Sequence, residues 1–487
     1  MGGEVTPVRF GFGHDATVTD GGSGGHPRRW LALAVLCLAL SMIVIDNTIL
    51  TVAIPSLARE LHADETDLQW IATSYGLVLA GLLLPLAVLG DRYGRKGLLL
   101  IGLAVFGAAS GAAAFATSPI MLSVTRGAMG IGGACAMPAT LSVLGNVFDA
   151  DERGRAIAIW SGIAGVASAA GPIAGGLLLA RFWWGSIFLV NVPLAVIAIG
   201  AAAILVPTSR DPAARPLDRG SALRWWAALT AALVAIIEGP QQGWTSPLVL
   251  GAAAAAVGLL VSFVRHERVS ERPMIPPATV RDPRLRWGAV TMSALFFAAF
   301  GVQFVLTQWL QGPRHKSPMG AALYFLPNAI AGIAASLRNP RWVARFGQGL
   351  VAAGGLGAMA VGAALTAIGV AASSEVTVLV AAALVGLGIG TSAASGAELI
   401  MSSASADNAG AAAGVNETIV EAAGALGVAV LGTVLAATGS YAWPLPVGAA
   451  IAFVAAAGVA RGLRSTRLRR PVPRRSATRR SRSGLAP

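Results

Sequence analysis

The chain of 487 residues is strongly apolar: 55% of its residues are hydrophobic, only 12% are charged, and the mean hydropathy is +0.68. Soluble domains carry roughly 25% charged residues, so this composition excludes a soluble globular protein. Apolar runs of about 20 residues, long enough to cross a bilayer as helices, recur between Trp30 and Gly462. The sequence therefore predicts an all-α polytopic membrane protein. Cys37 and Cys135 both lie inside apolar runs, which predicts neither a disulfide framework nor a metal site.

The formal net charge of +13 is concentrated at the C-terminus. Ten arginines and no acidic residue lie between Arg461 and Pro487, and without them the net charge is +3. Such a tail favours contact with anionic lipid headgroups, at about 1 kcal/mol per arginine near the surface, over nucleic-acid binding. Arginine outnumbers lysine 34 to 2, which favours a bacterial source with a GC-rich genome.

Fourteen apolar windows follow one another along the chain and predict fourteen membrane spans. They cover approximately residues 30–54, 68–90, 98–116, 119–148, 156–180, 186–207, 222–240, 246–265, 287–311, 319–337, 349–372, 375–403, 410–437 and 442–462. An even number of spans places both termini on one side of the membrane. Even without the tail, the loops on that side contain 21 lysines and arginines, against four on the other side. Positively charged loops stay in the cytoplasm, so both termini are predicted to be cytoplasmic.

A weak internal repeat organises the spans. Residues 91–95 after span 2 read Asp-Arg-Tyr-Gly-Arg, and residues 344–348 after span 10 read Ala-Arg-Phe-Gly-Gln. If the two loops correspond, spans 1–6 and 9–14 are two halves, and spans 7 and 8 are inserted between them, a 6+2+6 arrangement that suits a secondary transporter. The predicted segments are an N-terminal tail (1–29), a six-helix half (30–207), a linker with two inserted helices (208–286), a second six-helix half (287–462) and a basic tail (463–487).

Ionisable residues inside spans are expensive, at about 2.5–3.5 kcal/mol on insertion scales, so each is a functional candidate. Those in this chain are Asp46, Arg126, Glu238, Glu398, Glu417 and Glu421. All five histidines fall in loops or tails. A proton pathway through the spans would therefore run on carboxylates.

Asp46 and Arg126 are predicted to lie at the same depth. At 1.5 Å per residue they are roughly 12 Å and roughly 10 Å from the outer ends of spans 1 and 4. An ion pair would neutralise two costly charges, and protonation of Asp46 would free Arg126, giving a proton-dependent switch. The alternative is a static structural pair.

The remaining carboxylates are less specific. Glu417 and Glu421 are four residues apart on one face of span 13, either as proton sites or packed against polar neighbours such as Asn416. Glu398 is close to the cytoplasmic end of span 12. Glu238 is close to the outer end of span 7, where solvation at the interface explains it as well as function does.

Residues 45–55, which contain Asp46 and end in Val-Ala-Ile-Pro, resemble the first-span signature of the drug:proton antiporter-2 family, the fourteen-helix exporters of the major facilitator superfamily. In that family the aspartate handles protons and substrate, so the resemblance implies both roles for Asp46. Residues 183–193 resemble the subgroup that exports quaternary ammonium compounds and cationic dyes. The candidate proton-coupling residues are Asp46, Arg126, Glu398, Glu417 and Glu421, and the candidate substrate-binding residues are Asp46, Glu238 and Glu421.

Residues 90–96 resemble the superfamily's first cytoplasmic gating loop, although Ala87 replaces the usual glycine four residues before the aspartate. The gating residues that the resemblance implies are Asp91, Arg92, Gly94, Arg95 and Lys96. We expect Asp91 at the N-terminal end of span 3, where the helix dipole favours a carboxylate, and Gly94 in a tight turn.

Two further motifs belong to the same resemblance. Arg126 with Gly130 is similar to the family's proton-transfer motif, but Met129 stands where a glutamine is usual, which puts the hydrogen bonding of the motif in doubt. The glycine-proline motif that the resemblance associates with antiporters consists of Gly171, Pro172, Gly175 and Gly176. Proline removes a backbone hydrogen bond and glycines allow close helix approach, which suits a gated pivot.

The expected protein is a proton-coupled antiporter that exports hydrophobic, cationic drugs or antibiotics by alternating access across the bacterial cytoplasmic membrane. The chain has no phosphate-binding loop for ATP and no nucleophile motif, so we expect no cofactor, no enzymatic activity and a proton gradient as the energy source. We expect a monomer that contacts lipid, protons and a small-molecule substrate. The alternatives are a dedicated exporter of one self-made antibiotic, a non-transporting membrane sensor on the same fold, and proton-coupled uptake, against which the glycine-proline motif argues by resemblance.

Overall fold

The computed structural model describes residues 28–210, 218–270, 282–403 and 409–467. Within these ranges the chain is helical, without strands, and fourteen helices are long and apolar enough to cross a membrane. The predicted number of spans is therefore confirmed. The predicted tails, up to residue 27 and from residue 468, lie outside the described residues, as do 211–217 and 271–281 of the predicted linker.

Twelve spans are single helices and two are broken. In chain order the spans are Arg29–Glu60, Glu65–Tyr93, Arg95–Ala114, Pro119–Val147, Ala150–Arg181, Ser186–Leu189 with Asn191–Leu205, Arg219–Gln242, Pro247–Val269, Pro283–Gln311, Pro318–Leu323 with Leu326–Phe346, Gln348–Ala371, Glu375–Met401, Ala409–Thr438 and Leu445–Arg467. We call the end of the bundle where span 1 begins and span 14 ends the terminal end, and the opposite end the far end.

Proline explains the breaks in spans 6 and 10. Pro193 and Pro327 lack the N–H that would bond to the carbonyl four residues earlier. Those carbonyls belong to Leu189 and Leu323, and each is the last residue of the first helix of its span. Proline is tolerated in the first turn of a helix, so a new helix begins just before each proline.

The two groups of six spans pack in the same pattern, with each span of the second group numbered eight higher than its counterpart. In the first group, span 1 packs on span 5, span 4 on spans 2 and 3, and span 3 on span 6. In the second group, span 9 packs on span 13, span 12 on spans 10 and 11, and span 11 on span 14. The packing follows the predicted 6+2+6 arrangement.

The turns that suggested the repeat also match in their backbone conformation. Gly94 alone separates spans 2 and 3, at φ 129° and ψ 118°, and Gly347 alone separates spans 10 and 11, at φ 82° and ψ 152°. A residue with a side chain is strained at such positive φ. Glycine at these two positions therefore lets one helix follow another after a single residue.

The halves are fastened to each other toward the far end by side chains of span 9. Gln303 donates to the Thr51 hydroxyl at 3.3 Å, Gln308 to Glu65 at 3.1 Å, and Gln311 to the backbone carbonyl of Val52 at 2.8 Å. Thr51, Val52 and Glu65 belong to spans 1 and 2 of the other half. Three glutamine amides, of which Gln311 is buried, thus join the halves on the side remote from the chain termini.

Span 7 bridges the two halves as well, because it packs on span 2 on one side and on span 13 on the other. Leu233 and Ile237 of span 7 are fully buried in a cluster that includes Leu77 of span 2 and Ala429 of span 13. Span 8 packs on span 7, and only Val249 of its described side chains is buried. The inserted pair is therefore attached through span 7.

Asp218 links spans 7 and 8 at the terminal end. Its carboxylate accepts hydrogen bonds from the Ser221 backbone N–H at 3.0 Å, from His266 Nε2 at 2.9 Å and from the Ser270 hydroxyl at 3.1 Å. Burial alone would raise the pKa of Asp218, but these donors outweigh it and lower the pKa to about 2. Because the folded protein holds the carboxylate in its ionised form, Asp218 contributes stability above about pH 4.

We expect that contribution, up to about 2 kcal/mol, to be lost as the pH falls from about 4 through 2. Asp218→Asn should lower the melting temperature of the detergent-solubilised protein at pH 7. It should also remove part of the loss of stability in acid. An acid profile that is identical in the variant and the wild type would show that this carboxylate does not hold the two spans together.

Candidate functional site

Asp46 and Arg126 form a fully buried ion pair between spans 1 and 4. Arg126 Nη1 lies 2.6 Å from Asp46 Oδ2, and both side chains are 0% exposed. The pair expected from their matching depth is therefore present. Since a buried charge is tolerated only when it is paired and hydrogen-bonded, each residue depends on the other.

Asn191 completes the environment of the Asp46 carboxylate. Its side-chain amide donates to Asp46 Oδ1 at 2.7 Å and to the Ser110 hydroxyl at 3.0 Å, and Ser110 in turn donates to the Phe188 carbonyl at 2.9 Å. Asn191 is the first residue after the break in span 6, so the break presents its amide to span 1. Both oxygens of Asp46 accept hydrogen bonds, an arrangement that suits an ionised carboxylate.

Tyr75 of span 2 lies against the guanidinium of Arg126, with its ring centroid 4.8 Å from Arg126 Cζ. Two glycines of span 4 permit this approach. A Cβ on Gly130 would come within 2.7 Å of the Tyr75 carbonyl oxygen, and one on Gly133 within 2.8 Å of its hydroxyl. Among the described residues, Arg126 Nε, Arg126 Nη2 and the Tyr75 hydroxyl have no hydrogen-bond partner. Met129, which lies one turn after Arg126 and is fully buried, has only a weakly accepting thioether.

A small cavity lies between spans 1 and 2 of the first half and spans 9 and 13 of the second. Its volume is about 50 Å³, and its wall includes Asn47, Thr51, Phe300, Gln303 and Glu421. Small-molecule pockets usually enclose roughly 300–1,000 Å³, so the halves must move to admit a drug-sized compound. The cavity is therefore contracted, and its lining contains both polar and aromatic side chains.

Glu421 is the acidic residue of the cavity wall. It is 8% exposed and accepts a hydrogen bond from Asn47 at 3.4 Å, and within the described part of the chain no cationic side chain pairs with it. Gly76 makes room for it, because a Cβ there would lie 3.0 Å from Glu421 Oε2. Asn47 directly follows Asp46, which itself does not line the cavity, so one turn of span 1 connects the ion pair to Glu421.

The structure does not bring the other predicted carboxylates into this site. Glu417 is half-buried one turn before Glu421 and accepts from its neighbour Asn416 at 3.3 Å, but it does not line the cavity. Glu398 is exposed near the end of span 12. Glu238 accepts from the Trp70 indole N–H at 2.9 Å, at the junction of spans 2 and 7 near the far end. Its contact with Trp70 makes Glu238 an anchor of the inserted span.

Residues 36–428 match the family profile of the Major Facilitator Superfamily. The chain belongs to this superfamily. It is 36% identical to the multidrug efflux pump LfrA of Mycolicibacterium smegmatis, over 84% of this chain and 81% of the pump. It is 32% identical to the tetracenomycin C resistance and export protein of Streptomyces glaucescens, over 85% and 77% of the two chains. It is 33% identical to the methylenomycin A resistance protein of Streptomyces coelicolor, over 97% and 99%.

Solved structures show the same major facilitator fold. A peptide transporter of the POT family, crystallised with sulfate, superposes with a TM-score of 0.69 over 93% of this chain and 98% of that chain at 16% identity. The nucleoside transporter NupG gives a TM-score of 0.62 at 15% identity, over 89% and 99% of the two chains. The family and these relatives are transporters.

The predicted gating loop differs in one respect from the sequence expectation. Asp91 lies in the last turn of span 2, at the C-terminal end of that helix, and not at the N-terminal end of span 3, which begins only at Arg95. The helix dipole there disfavours a carboxylate. Two contacts with Asp91 Oδ1 offset this cost: Arg95 Nε lies 2.7 Å away, and the Ser142 hydroxyl of span 4 donates at 3.4 Å.

The rest of this loop also binds its own half. The Arg95 backbone N–H donates to the carbonyl of Ser209, which follows span 6, at 3.0 Å. Lys96 Nζ donates to the carbonyl of Ala203, in the last turn of span 6, at 2.8 Å. Arg92 lies over the Tyr93 ring, 5.6 Å from its centroid. In this conformation the contacts described for the loop join spans 2, 3, 4 and 6 of the first half. Whether these residues gate transport stays a prediction.

The glycine-proline motif allows span 5 to approach two other helices. A Cβ on Gly171 would overlap the Thr48 hydroxyl, and one on Gly175 would lie 2.9 Å from the Ile49 side chain, so these glycines admit span 1 next to Asp46. A Cβ on Gly176 would lie 2.9 Å from the Met319 backbone of span 10 in the other half. Pro172 lies within this helix.

We expect Gly176→Ala to weaken the contact between the halves by about 1–3 kcal/mol, because overpacking against backbone cannot be relieved by turning a side chain. The transport rate should fall, and the protein should label faster with a membrane-impermeant thiol reagent at a cysteine introduced on the far end. Gly165→Ala is the matched control, since it lies on the same helix with nothing within 4 Å of the added Cβ. Equal effects of the two variants would rule out a specific role for Gly176.

Residues missed at the sequence level are Tyr75, Asn191, Asn47 and Gln303, which are uncharged and therefore do not stand out by insertion cost. For Asn191 a signal was available: an amide two residues before a proline inside an apolar run. For Tyr75 no sequence signal separates it from the aromatic residues that face lipid or pack between helices.

Proposed function

We propose that this major facilitator protein exports hydrophobic, cationic compounds in exchange for protons, by alternating access between its two halves. The observation that carries the proposal is the fully buried Asp46–Arg126 pair, one residue along span 1 from a cavity that contains Glu421. The printed functions of the relatives, multidrug efflux and antibiotic export, favour drugs or antibiotics as the substrate class.

The proton step follows from the hydrogen-bonding capacity of the partners. A proton on an oxygen of Asp46 turns that oxygen into a donor, and arginine has no acceptor to receive it. The amide of Asn191 can turn and offer its carbonyl oxygen instead. Protonation thus breaks the ion pair, releases Arg126 and removes the charge constraint between spans 1 and 4, and deprotonation on the opposite side restores both.

The substrate step uses the cavity. Glu421 supplies a negative charge without a cationic partner in the described structure, and Phe300 and Phe304 of span 9 supply aromatic surface in the same cavity. A lipophilic cation matches this combination, because it pairs with the carboxylate and contacts the ring faces. Asn47, which donates to Glu421 and follows Asp46, provides the connection between proton site and substrate site.

The distribution of positive charge between the loops sets the orientation of the protein in the membrane and hence the direction of transport. The 21 positive loop residues on the terminal side, against four on the other, support cytoplasmic termini and a cytoplasmic membrane location. The halves are then joined toward the outside in this conformation, and loading from the cytoplasm requires them to move apart on the terminal side. We propose further that the protein acts as a monomer in contact with lipid, without cofactor, enzymatic activity or nucleic acid, and is driven by the proton gradient.

Exchange of one proton for one monovalent cation would gain nothing from the membrane potential, which is worth about 2.3 kcal/mol per charge at 100 mV. We therefore propose at least two protons per cation. Asp46 is one site, and Glu417 or Glu421 offers a second inside the bundle, whereas Glu398 is exposed. A measured stoichiometry of one for a monovalent substrate would refute the two-proton cycle.

A second candidate is export of a single self-made antibiotic. The relatives named after tetracenomycin C and methylenomycin A, each matched over most of its length, favour it. The substrate panel distinguishes the two functions, because a dedicated exporter should respond to one scaffold and not to unrelated cations.

The test is proton release from acidified inside-out vesicles on addition of lipophilic cations and neutral antibiotics. Wild type should release protons with cations, and Asp46→Asn, which cannot load a proton, should not. Equal release by the two proteins would remove Asp46 from the coupling mechanism. Absence of release with every compound of a broad panel would refute multidrug exchange.

A further inference from the structure

The proposed proton step leaves one charge unaccounted for. When Asp46 is protonated, Arg126 remains a cation, and its side chain is 0% exposed. A buried charge that loses its counter-ion is strongly destabilising unless another group holds it. If Asp46 is the proton site, as proposed above, another group must stabilise the Arg126 guanidinium while Asp46 is neutral.

The aromatic face of Tyr75 is already in contact with the guanidinium. The ring centroid lies 4.8 Å from Arg126 Cζ, and Tyr75 is 1% exposed, so the contact is free of solvent. Desolvated cation–π contacts are the strong ones. Gly130 and Gly133 hold span 4 against Tyr75 closely enough to fix this geometry.

The hydroxyl of Tyr75 does not explain why a tyrosine occupies this position. It is buried, has no hydrogen-bond partner among the described residues, and rests against Gly133. The charged groups that interact electrostatically with Tyr75 are Arg126 of span 4, Asp46 of span 1, and Glu421 and Glu417 of span 13. Of these groups, Arg126 is the cation, and only a cation is stabilised by the face of an aromatic ring.

We propose that Tyr75 is a positioning residue that holds the Arg126 guanidinium on its ring while Asp46 is protonated. In the ionised state the guanidinium is shared between the Asp46 carboxylate and the ring. In the protonated state the ring alone keeps it in place between spans 2 and 4, ready to recapture Asp46 when the proton leaves. No atom of Tyr75 is transferred, and its hydroxyl takes no part.

A double-mutant cycle on thermal stability tests this without any transport assay. Asp46→Asn mimics the neutral carboxyl, and Tyr75→Leu removes the ring. Independent sites give additive effects, whereas residues that share a partner do not. We expect Tyr75→Leu to lower the melting temperature at least twice as much in the Asp46→Asn background as in the wild type. Additive losses, as expected from packing alone, would overturn the proposal.

Tyr75→Phe is the conservative control, because it keeps the ring and removes only the orphan hydroxyl. It should match wild type within about twofold in transport rate, since loss of an unsatisfied buried hydroxyl carries little penalty. A Phe variant as impaired as Tyr75→Leu would overturn the proposal. If the Leu variant does not fold, Tyr75→Met, a flexible apolar replacement, takes its place in the cycle.

Glu421 is the competing partner for the released guanidinium. The same cycle with Glu421→Gln should be additive with Asp46→Asn. If Asp46→Asn were non-additive with Glu421→Gln and additive with Tyr75→Leu, the released Arg126 guanidinium would be assigned to Glu421. The proposed role of the Tyr75 ring would then be refuted.

In vesicles, Tyr75→Leu should lower the maximal transport rate about tenfold, with half-maximal transport moved about one unit toward lower pH, because a desolvated cation–π contact is worth about an order of magnitude in an equilibrium constant. The KM for the cation should change little, since Tyr75 does not line the cavity. A change confined to KM would contradict the proposal. Lack of transport by wild type would refute the proposed function and leave the thermal cycle valid.

Discussion

Replacement of Arg126 by methionine is expected to lower the free energy of unfolding by about 3–5 kcal/mol, because it leaves the Asp46 carboxylate buried without its cation. Both side chains are 0% exposed, so water cannot replace Arg126 as the partner of the Asp46 carboxylate. Asn191 still donates to Asp46, but an amide carries no compensating charge. The measurement is thermal or denaturant unfolding of the purified protein in detergent, compared with wild type.

The double variant Asp46→Asn with Arg126→Met is the matched control. It removes both charges and should recover most of the lost stability, because replacement of a buried ion pair by neutral groups is often harmless to stability. It should nevertheless transport nothing against a gradient, since no proton site remains at this position. Recovery of stability without recovery of transport separates the structural role of the pair from its role in coupling. A double variant as unstable as Arg126→Met would show that the loss came from packing.

Glu421→Gln is expected to act on substrate choice. The apparent affinity for monovalent lipophilic cations should fall roughly 10- to 100-fold, since interactions with a charged group are worth about 1.5–3 kcal/mol. Neutral compounds that contact the aromatic side chains of the cavity should be affected less than threefold. Glutamine keeps the size of the side chain and its hydrogen bond to Asn47, so the contrast isolates the charge.

Glu417→Gln provides the comparison for this experiment. It lies one turn away on the same helix but does not line the cavity, so cation affinity should stay near that of wild type. Binding is measured by quenching of a fluorescent cationic dye, and transport by proton release from vesicles. A uniform loss for cations and neutral compounds in Glu421→Gln would place Glu421 in proton coupling and not in charge recognition.

The number of spans and the Asp46–Arg126 pair could be predicted from sequence, because hydropathy and insertion cost act on single residues and on depth along a helix. The contacts that each side chain makes with neighbouring helices could not be predicted from sequence. Glu238 and Glu421 are both carboxylates in apolar runs, yet one binds Trp70 at the seam of span 7 and the other faces the cavity. The rotation of each helix about its own axis decides which neighbouring helix its carboxylate faces. Hydropathy along the sequence does not determine that rotation.

Helix ends were a second limit. Asp91 was expected at the start of span 3, but the glycine turn is so short that span 2 continues through Tyr93. The aromatic and amide partners of Arg126 and Asp46 depend on close helix approaches set by glycines on a different span. Such approaches become visible only when the two helices are placed together.

The position of span 7 has a consequence for compounds that dissolve in the bilayer. A two-half transporter has two lateral seams through which a lipophilic molecule could slip between the halves directly from the lipid. Span 7 covers the seam between spans 2 and 13 and is bonded to both sides, through Trp70 with Glu238 and through the Thr433 hydroxyl with the Ile236 carbonyl at 2.8 Å. The opposite seam, where span 5 meets span 10 at Gly176, has no such cover in the described ranges. A compound that entered from the bilayer would therefore meet one seam covered by span 7 and one seam without such a cover.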